Sequence, residues 1–463
     1  MPTWTVLELL RRNPEIYKKH LEKRGIDTQI ADRAIEVDIK WREELKRVNE
    51  IRRKLNEATM KIAKASTSEE KRGYLRTAKK LKEKLSDREK ILREYELKRK
   101  KVLFELPNIV ADDVPEGLDE SFNVPIRYWG KPKVWGGYEK QFKEQTEKFG
   151  FKIEYELIDW KPKGHAEMVE LVLKKGNTLQ AAKIAGSRFY YLFDDLVWLD
   201  FAISLYAQDL MTRKGYKLVL PPYMVRRDVM EAALDLESFE DMIYKIEGED
   251  LYLIGTAEHP LLALYKGKVI QKNELPIKLV GWSACFRKEA GAHGKDTKGI
   301  FRVHQFHKVE QFIFCHPEDS WKFHEELLKN AEEICRGLEL PYRVVNMCAG
   351  ELGYHAAKKY DVEAWFPAQG KYREIISCSN CLDWQAFRAN IVYAEPDGKR
   401  EYVHTLNSTA IPTSRTICCI LENFQEPDGS VIIPKVLRKY LEVFPKAPKD
   451  KIHPFEVNKN QGI

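Results

Sequence analysis

The segment Gly281-Trp282-Ser283-Ala284-Cys285-Phe286-Arg287-Lys288-Glu289 enters a glycine-rich stretch, Ala290-Gly291-Ala292-His293-Gly294 to Gly299, and continues as Phe301-Arg302-Val303-His304-Gln305-Phe306-His307-Lys308-Val309-Glu310. It reads as strand, loop, strand. On alternating strands Arg287 shares a face with Glu289, as do Arg302, His304, Phe306, Lys308 and Glu310 with one another. Charges lining a sheet interior demand partners, and cross-strand ion pairs account for one or two of them but not for Phe306 in their midst. Two arginines and an aromatic suit a nucleotide, with guanidinium groups on phosphate and a ring against the base.

Working outward, strand-like runs occupy 217–220, 251–254, 342–348, 360–366, 372–377 and 402–406, and long amphipathic helices occupy about 190–214 and 318–338. Most strands follow one another through short loops, which favours an α+β domain on a mostly antiparallel sheet. Residues 130–160 read as irregular. Neither a Walker loop nor a dinucleotide glycine fingerprint is present, so a nucleotide site here must use another device.

Three further segments carry chemistry. In Lys371-Tyr372-Arg373-Glu374-Ile375-Ile376-Ser377-Cys378-Ser379-Asn380-Cys381, Glu374 and Ser377 can present oxygens to Mg2+ beside phosphates. Cys378 and Cys381 have the spacing of zinc ligands, but no second pair has it, so buried thiols and no structural zinc are expected. His404-Thr405-Leu406-Asn407-Ser408-Thr409-Ala410-Ile411-Pro412-Thr413-Ser414-Arg415 reads as a strand, a small-residue loop and the start of an apolar helix. Arg415 falls in that helix's first turn, where backbone N–H groups favour an anion. Gly255-Thr256-Ala257-Glu258 ends a strand with a hydroxyl and a carboxylate, a pair that can hold an ammonium group.

The amino-terminal part has a different texture. From Glu15 to Leu106 there is no proline and only Gly25 and Gly73, so nothing breaks a helix for long distances. Trp41, Val48, Leu55 and Ile62 recur every seven residues with Val37, Ile51 and Ala58 between them, and Tyr74, Ala78, Leu81, Leu85, Leu92, Tyr95 and Val102 keep the same rhythm. Ala65-Ser66-Thr67-Ser68-Glu69-Glu70 separates the two, with Ser68 as the expected cap of the second helix. An antiparallel coiled-coil hairpin follows. Residues 37–104 hold 23 Lys and Arg against 12 Asp and Glu, whereas the whole chain is only +7, so the positive charge is concentrated here. Balanced charges would solubilise a hairpin equally well; a one-signed excess suits a polyanion, and nucleic acid is the natural candidate.

At 463 residues the chain calls for two or three domains, with a boundary near 105–115, and 43% hydrophobic content excludes wholesale disorder. No run approaches ~18 apolar residues and the first residues lack the blocks of a secretory signal, so a cytoplasmic protein without membrane contact is expected. Eight cysteines crowded between Cys285 and Cys419 do not form a secreted disulfide framework.

These residues resemble the signature motifs of the class II aminoacyl-tRNA synthetases, in their seryl-specific versions. Motif 1 (about 186–222) is similar to Gly186-Ser187-Arg188-Phe189, a long helix and Val219-Leu220-Pro221-Pro222. Motif 2 (about 281–310) is similar to Phe286-Arg287-Lys288-Glu289 with Arg302 to Glu310, and motif 3 (about 402–421) contains Arg415. The resemblance implies an amino-terminal tRNA-binding domain at 1–110, its hairpin at about 28–104, and a catalytic domain at 111–463 on a mixed, mostly antiparallel sheet flanked by helices. It implies activation of L-serine with ATP and Mg2+, transfer to serine tRNA gripped by the basic arm across a homodimer, and selenocysteine tRNA as an alternative acceptor. For ATP it implies Arg287, Lys288, Glu289, Arg302, Val303, Phe306, Glu374, Ile375, Ile376, Ser377 and Arg415, with Phe306 and Arg415 sandwiching adenine and Glu374 and Ser377 holding Mg2+. For serine it implies Thr256, Ala257, Glu258, Arg287, Glu310, Asn407 and Thr409. Arg287, Arg302 and Arg415 are the implied catalytic residues, and His304, His307 and His404 the structural ones. Two departures stand out: 130–160 is longer than the common bacterial form, and Ser408-Thr409 replaces a more usual Gly-Ser while keeping a hydroxyl at Thr409. A paralogue that loads an amino acid onto a carrier protein would be expected to lack the long basic arm and to carry zinc ligands, and a non-catalytic RNA scaffold would not need Arg287, Glu289, Glu374 and Arg415 intact.

Overall fold

The computed structural model describes residues 2–290 and 296–456. Contacts divide the chain into two units, Val6–Ile109 and a second made of Met1–Thr5 with Val110–Ile463.

The first unit is dominated by two long helices, α1 (Gln29–Lys64) and α2 (Ser68–Phe104). Their seam buries Ala31, Ala34, Val48, Ile51 and Ala58 of α1 and Leu92 and Leu103 of α2. It also buries two carboxylates on α1, Asp38 and Glu44. Asp38 lies 2.8 Å from Arg11, 3.0 Å from Arg42 and 2.8 Å from Arg99. Burial opposes its charge, but the hydrogen bonds from Arg11 and Arg99 win and hold its carboxyl below the usual range. Glu44 meets Arg47 at 3.1 Å and Arg88 at 3.2 Å. The turn corrects the expected cap. Ser68 is already helical, and Thr67 in extended geometry accepts from the Glu70 N–H while Glu70 reaches back to the Thr67 N–H, a reciprocal box.

The second unit is built on an eight-stranded sheet: β1 (Val124–Trp129), β2 (Lys217–Val219), β3 (Ile277–Phe286), β4 (Gln305–Cys315), β5 (Tyr342–Asn346), β6 (Lys358–Phe366), β7 (Lys371–Leu382) and β8 (His404–Pro412). The spatial order is β1-β5-β6-β7-β8-β4-β3-β2, antiparallel throughout except for the parallel β3–β2 pair. This is the mixed, mostly antiparallel sheet expected from the sequence. Helices α3 (Asp195–Arg213), α4 (Ser320–Gly337) and α5 (Thr413–Asn423) pack into its main core with Leu199, Ile203, Leu327, Ile334, Ile417 and Ile420.

Several local expectations change. The small residues after Leu406 are strand, not loop: Ser408 pairs with Gln311 of β4 and Cys378 of β7, Thr409 pairs with Glu310 of β4, and Ala410 falls at a register shift, so sheet pairing overrides weak strand propensity. Motif 1's helix begins at Asp195 because Tyr191–Leu192 pairs with Gly176–Asn177. Strands β3 and β4 are shorter at the loop end than read, so Arg287, Glu289, Arg302 and His304 stand beyond the ladder. Of the glycine-rich loop, 291–295 lie outside the described residues. Residues 130–160 hold a short parallel pair and the helix Glu139–Glu147, whose Phe142 packs on Trp365. Among the described residues no helix is long and apolar enough to cross a membrane.

Candidate functional site

The loop ends of β3 and β4 are held together by backbone bonds after the ladder stops. The Arg287 N–H donates to the His304 carbonyl at 3.0 Å, and the His304 ring donates from Nδ1 to the Arg287 carbonyl at 2.8 Å. This clamp fixes Arg287, whose Nε donates to the Gly255 carbonyl at 3.1 Å and whose guanidinium stands 5.4 Å from the Phe306 ring. Glu289 adopts a positive φ of 51° and receives Arg302 at 2.8 Å. From the other side Arg415 approaches Glu374 at 3.3 Å and the Phe301 ring at 5.0 Å.

Together Arg287, Glu289, Arg302, Val303, Phe306, Glu374, Ile375, Ser377 and Arg415 line one cleft. Of the expected nucleotide residues, Lys288 and Ile376 are not in that lining. Lys288 extends toward the Tyr244 ring at 5.8 Å, and Ile376 is buried in the core. Burial works against the Glu374 charge, yet Arg415, Lys359 and Arg287 keep its carboxyl well below the usual range. An ionised carboxylate and the Ser377 hydroxyl, both on β7 and both in the cleft lining, form an oxygen set that fits Mg2+.

Deeper in the domain, strand alternation carries Phe306, Lys308 and Glu310 along one face of β4. Lys308 lies 2.5 Å from Glu310 and donates to the Thr409 hydroxyl at 3.3 Å, and Thr409 in turn donates to Glu310 at 3.3 Å. Lys308 was not singled out from sequence as a site residue, although its alternation with Phe306 and Glu310 carries the signal. Glu258, buried at the start of the helix Glu258–Ala263, accepts from Gln385 at 2.7 Å and from Asn407 at 3.1 Å. Burial and the Glu310 charge push it up to about 7. Gln385, itself fully buried, accepts from the Thr405 hydroxyl at 2.7 Å and so fixes the orientation of Glu258. Thr256 takes the Glu258 N–H at 3.2 Å, and Ala257 packs into a separate apolar cluster.

The histidines divide by environment. His307 pairs with Asp200 of α3 at 2.8 Å, which raises its pKa and ties motif 1 to β4 on the face away from the cleft. His404 is driven down to about 4 by burial.

Comparisons with known proteins agree with this architecture. The family model described as seryl-tRNA synthetase N-terminal domain matches residues 7–110, and the tRNA synthetase class II core domain model (G, H, P, S and T) matches residues 241–424. The chain is 60% identical to the serine–tRNA ligase of Hyperthermus butylicus, over 98% of each chain. It is 59% identical to that of Staphylothermus marinus, over 99% of this chain and all of the relative. Among solved structures it resembles seryl-tRNA synthetase from Pyrococcus horikoshii complexed with ATP, at a TM-score of 0.88 and 50% identity over 97% and 99% of the two chains. It also resembles the cytoplasmic serine–tRNA ligase from Naegleria fowleri in complex with AMP, at a TM-score of 0.79 and 36% identity over 97% and 98%.

Proposed function

The chain belongs to the seryl-tRNA synthetase family, and from that footing we propose that it activates L-serine with ATP to seryl-adenylate and pyrophosphate, then transfers the seryl group to the 3′-terminal adenosine of serine tRNA. The observation that carries this reading is that Arg287 and Thr409 line one cleft with Arg302, Phe306, Glu374 and Arg415, while Glu310, bonded to Thr409, and Glu258 are buried beyond that lining. The cleft is cationic and aromatic where ATP would lie, and the two buried carboxylates offer charge for an ammonium and a hydroxyl group.

Arg287 holds the serine carboxylate against the α-phosphate, and its charge offsets two anions that would otherwise repel. Glu289 and Val303 read the adenine edge, while Phe306 and Arg415 cover the two faces of the ring. Arg302 turns from Glu289 and Asp296 toward the terminal phosphates. Glu374 and Ser377 would hold Mg2+, which would supply neutralisation of phosphate charge. Thr256 and Glu258 take the serine ammonium, and Glu310, Asn407 and Thr409 take its hydroxyl. The serine carboxylate is already an anion, so in-line attack on the α-phosphorus needs positioning and charge neutralisation and no general base.

The basic hairpin α1–α2 grips the tRNA backbone. A second copy of the chain covers motif 1, where Phe201, Leu205, Leu218 and Leu220 are exposed apolar side chains in need of a partner. Pyrophosphate exchange measured across the amino acids tests the whole reading: serine alone should support it, and exchange driven equally by another amino acid would overturn it.

A further inference from the structure

Sequence spacing gave no zinc site because Cys378-x-x-Cys381 lacks a second pair. The fold separates the two thiols and gives one of them different company. Cys378 Sγ turns toward the His324 carbonyl at 3.7 Å, on the α4 side of β7, ahead of the register shift that falls between Asn380 and Leu382. Cys381 Sγ turns toward Asn407 Nδ2 at 3.4 Å, on the amino-acid side. There Cys381, Glu258 and His355 each offer one ligand atom, and these three atoms lie within 4.8 Å of one another.

Sulfur, imidazole nitrogen and carboxylate oxygen from three protein groups form the donor set of an open tetrahedral zinc site, with one position left for a small ligand or water. The surroundings are built for such a site. Asn407 Nδ2 donates to both Glu258 Oε1 at 3.1 Å and Cys381 Sγ at 3.4 Å, and Gln385 donates to Glu258 Oε1 at 2.7 Å. Two of the three ligands thus carry the outer hydrogen bonds that orient metal ligands, and both outer amides are buried. No other group of this kind occurs among the described residues.

We infer that Glu258, His355 and Cys381 form a site for a thiophilic divalent cation, Zn2+ foremost, whose occupancy takes Glu258 away from the ammonium group of serine. This rests on the reading of Glu258 as the ammonium partner. On binding, the Cys381 S–H proton leaves to solvent as the metal–sulfur bond forms, and neither metal nor sulfur changes oxidation state. The consequence is competition: Zn2+ and serine exclude each other, while ATP binding is untouched.

The test uses the full-length protein, stripped with a chelator and returned to Mg2+. Co2+ serves as the probe because a thiolate ligand gives it a charge-transfer band. One equivalent of Co2+ should produce that band, Zn2+ should abolish it, and serine should suppress it. In pyrophosphate exchange, Zn2+ should raise the apparent KM for serine with kcat and the KM for ATP unchanged. Cys381→Ser and His355→Ala should each weaken metal binding by roughly 10- to 100-fold and remove the zinc sensitivity, with metal-free exchange retained. His355 is part-exposed on a turn, so its truncation tests the site even where a change at the buried cysteine disturbs the core. Absence of the cobalt–thiolate band, zinc inhibition that serine does not relieve, or inhibition unaltered in both variants would overturn the inference. Failure of the serine reading itself would show separately, as metal-free exchange that does not depend on serine.

Discussion

Arg415 and Glu374, which line the same cleft as Arg287 and Phe306, are paired 3.3 Å apart, with Arg415 also donating to the Glu374 backbone carbonyl at 3.1 Å. The same guanidinium is 5.0 Å from the Phe301 ring, so carboxylate, carbonyl and aromatic face hold it in place before any ligand arrives. A cation positioned this way loses little side-chain freedom when a nucleotide exchanges for the carboxylate. With ATP bound as proposed, the pair is a preorganised contact that must open.

Arg415→Lys tests that relationship. A lysine keeps the charge but not the flat surface that covers adenine, so exchange should fall by about 10²-fold through the KM for ATP, with the fold unchanged. An ATP dependence equal to wild type would remove Arg415 from the site.

Arg287→Ala should stop adenylate formation more completely, since the site then loses the one charge proposed to lie between the serine carboxylate and the α-phosphate. The expected loss is about 3–4 kcal/mol of barrier, read as a drop in kcat for exchange. Because, among the described residues, the Arg287 side chain makes one hydrogen bond to protein, through Nε to Gly255, thermal stability should hardly change.

Serine selectivity should depend on hydroxyl partners in a dry pocket. A substrate without the hydroxyl leaves Glu310 and Thr409 unpaired, so alanine should be rejected by ~10⁴-fold, as measured by the ratio of kcat/KM in exchange. Thr409→Val removes one partner and leaves Lys308 bound to Glu310 alone, and the serine–alanine ratio should fall by at least about tenfold.

What the sequence made legible follows from local patterning. The seam of the hairpin is written in Val48, Ile51 and Ala58, and the three arginines that line the cleft, Arg287, Arg302 and Arg415, stand in compact motifs. Asp38 and Glu44 were hidden because a charged residue in a heptad reads as outward, and the arginines that satisfy Asp38 and Glu44 come partly from remote positions: Arg11, Arg88 and Arg99. Likewise Gln385 lies 127 residues from Glu258, so no spacing rule links them. The strand through Ser408, Thr409 and Ala410 was obscured because small residues score as loop until both neighbouring strands are known.

His324 gives a prediction about acid stability. It is buried between α4 and β7, donates from Nε2 to the Cys378 carbonyl at 3.2 Å and stacks on Tyr360 at 5.0 Å. Burial lowers it from 6.5 to about 4. The unfolded chain therefore binds the proton first, so this contribution to stability is full above about pH 6.5 and is lost as the pH falls toward 4, by up to about 3 kcal/mol. Denaturant midpoints measured from pH 7 down to 4.5 should fall less steeply for His324→Gln than for wild type. Equal slopes would show that the charged imidazole is tolerated where it sits.

The basic hairpin offers the last and broadest test. Its base is locked by Asp38 with Arg11, Arg42 and Arg99 and by Arg99 over the Trp41 ring at 4.3 Å, so residues 44–94 can be replaced by a short linker without disturbing that cluster. Serine-dependent pyrophosphate exchange should stay near wild type, because every residue assigned to ATP or serine lies in the other contact unit. Charging of serine tRNA should collapse, since phosphate contacts supply much of the affinity and 37–104 carries 23 basic residues against 12 acidic. Part of that charge is already spent: Arg88 and Arg99 serve Asp38 and Glu44 inside the hairpin, and Arg52 pairs with Glu89 at 2.7 Å. Exposed lysines with no such tie, Lys79, Lys80, Lys82 and Lys84 of α2 among them, are then the ones to release counterions. Replacing these four with glutamine should flatten the salt dependence of tRNA binding while leaving helix content and exchange intact. An arm-deleted enzyme that charges tRNA with wild-type affinity and salt slope would make the excess charge an ordinary solvated surface.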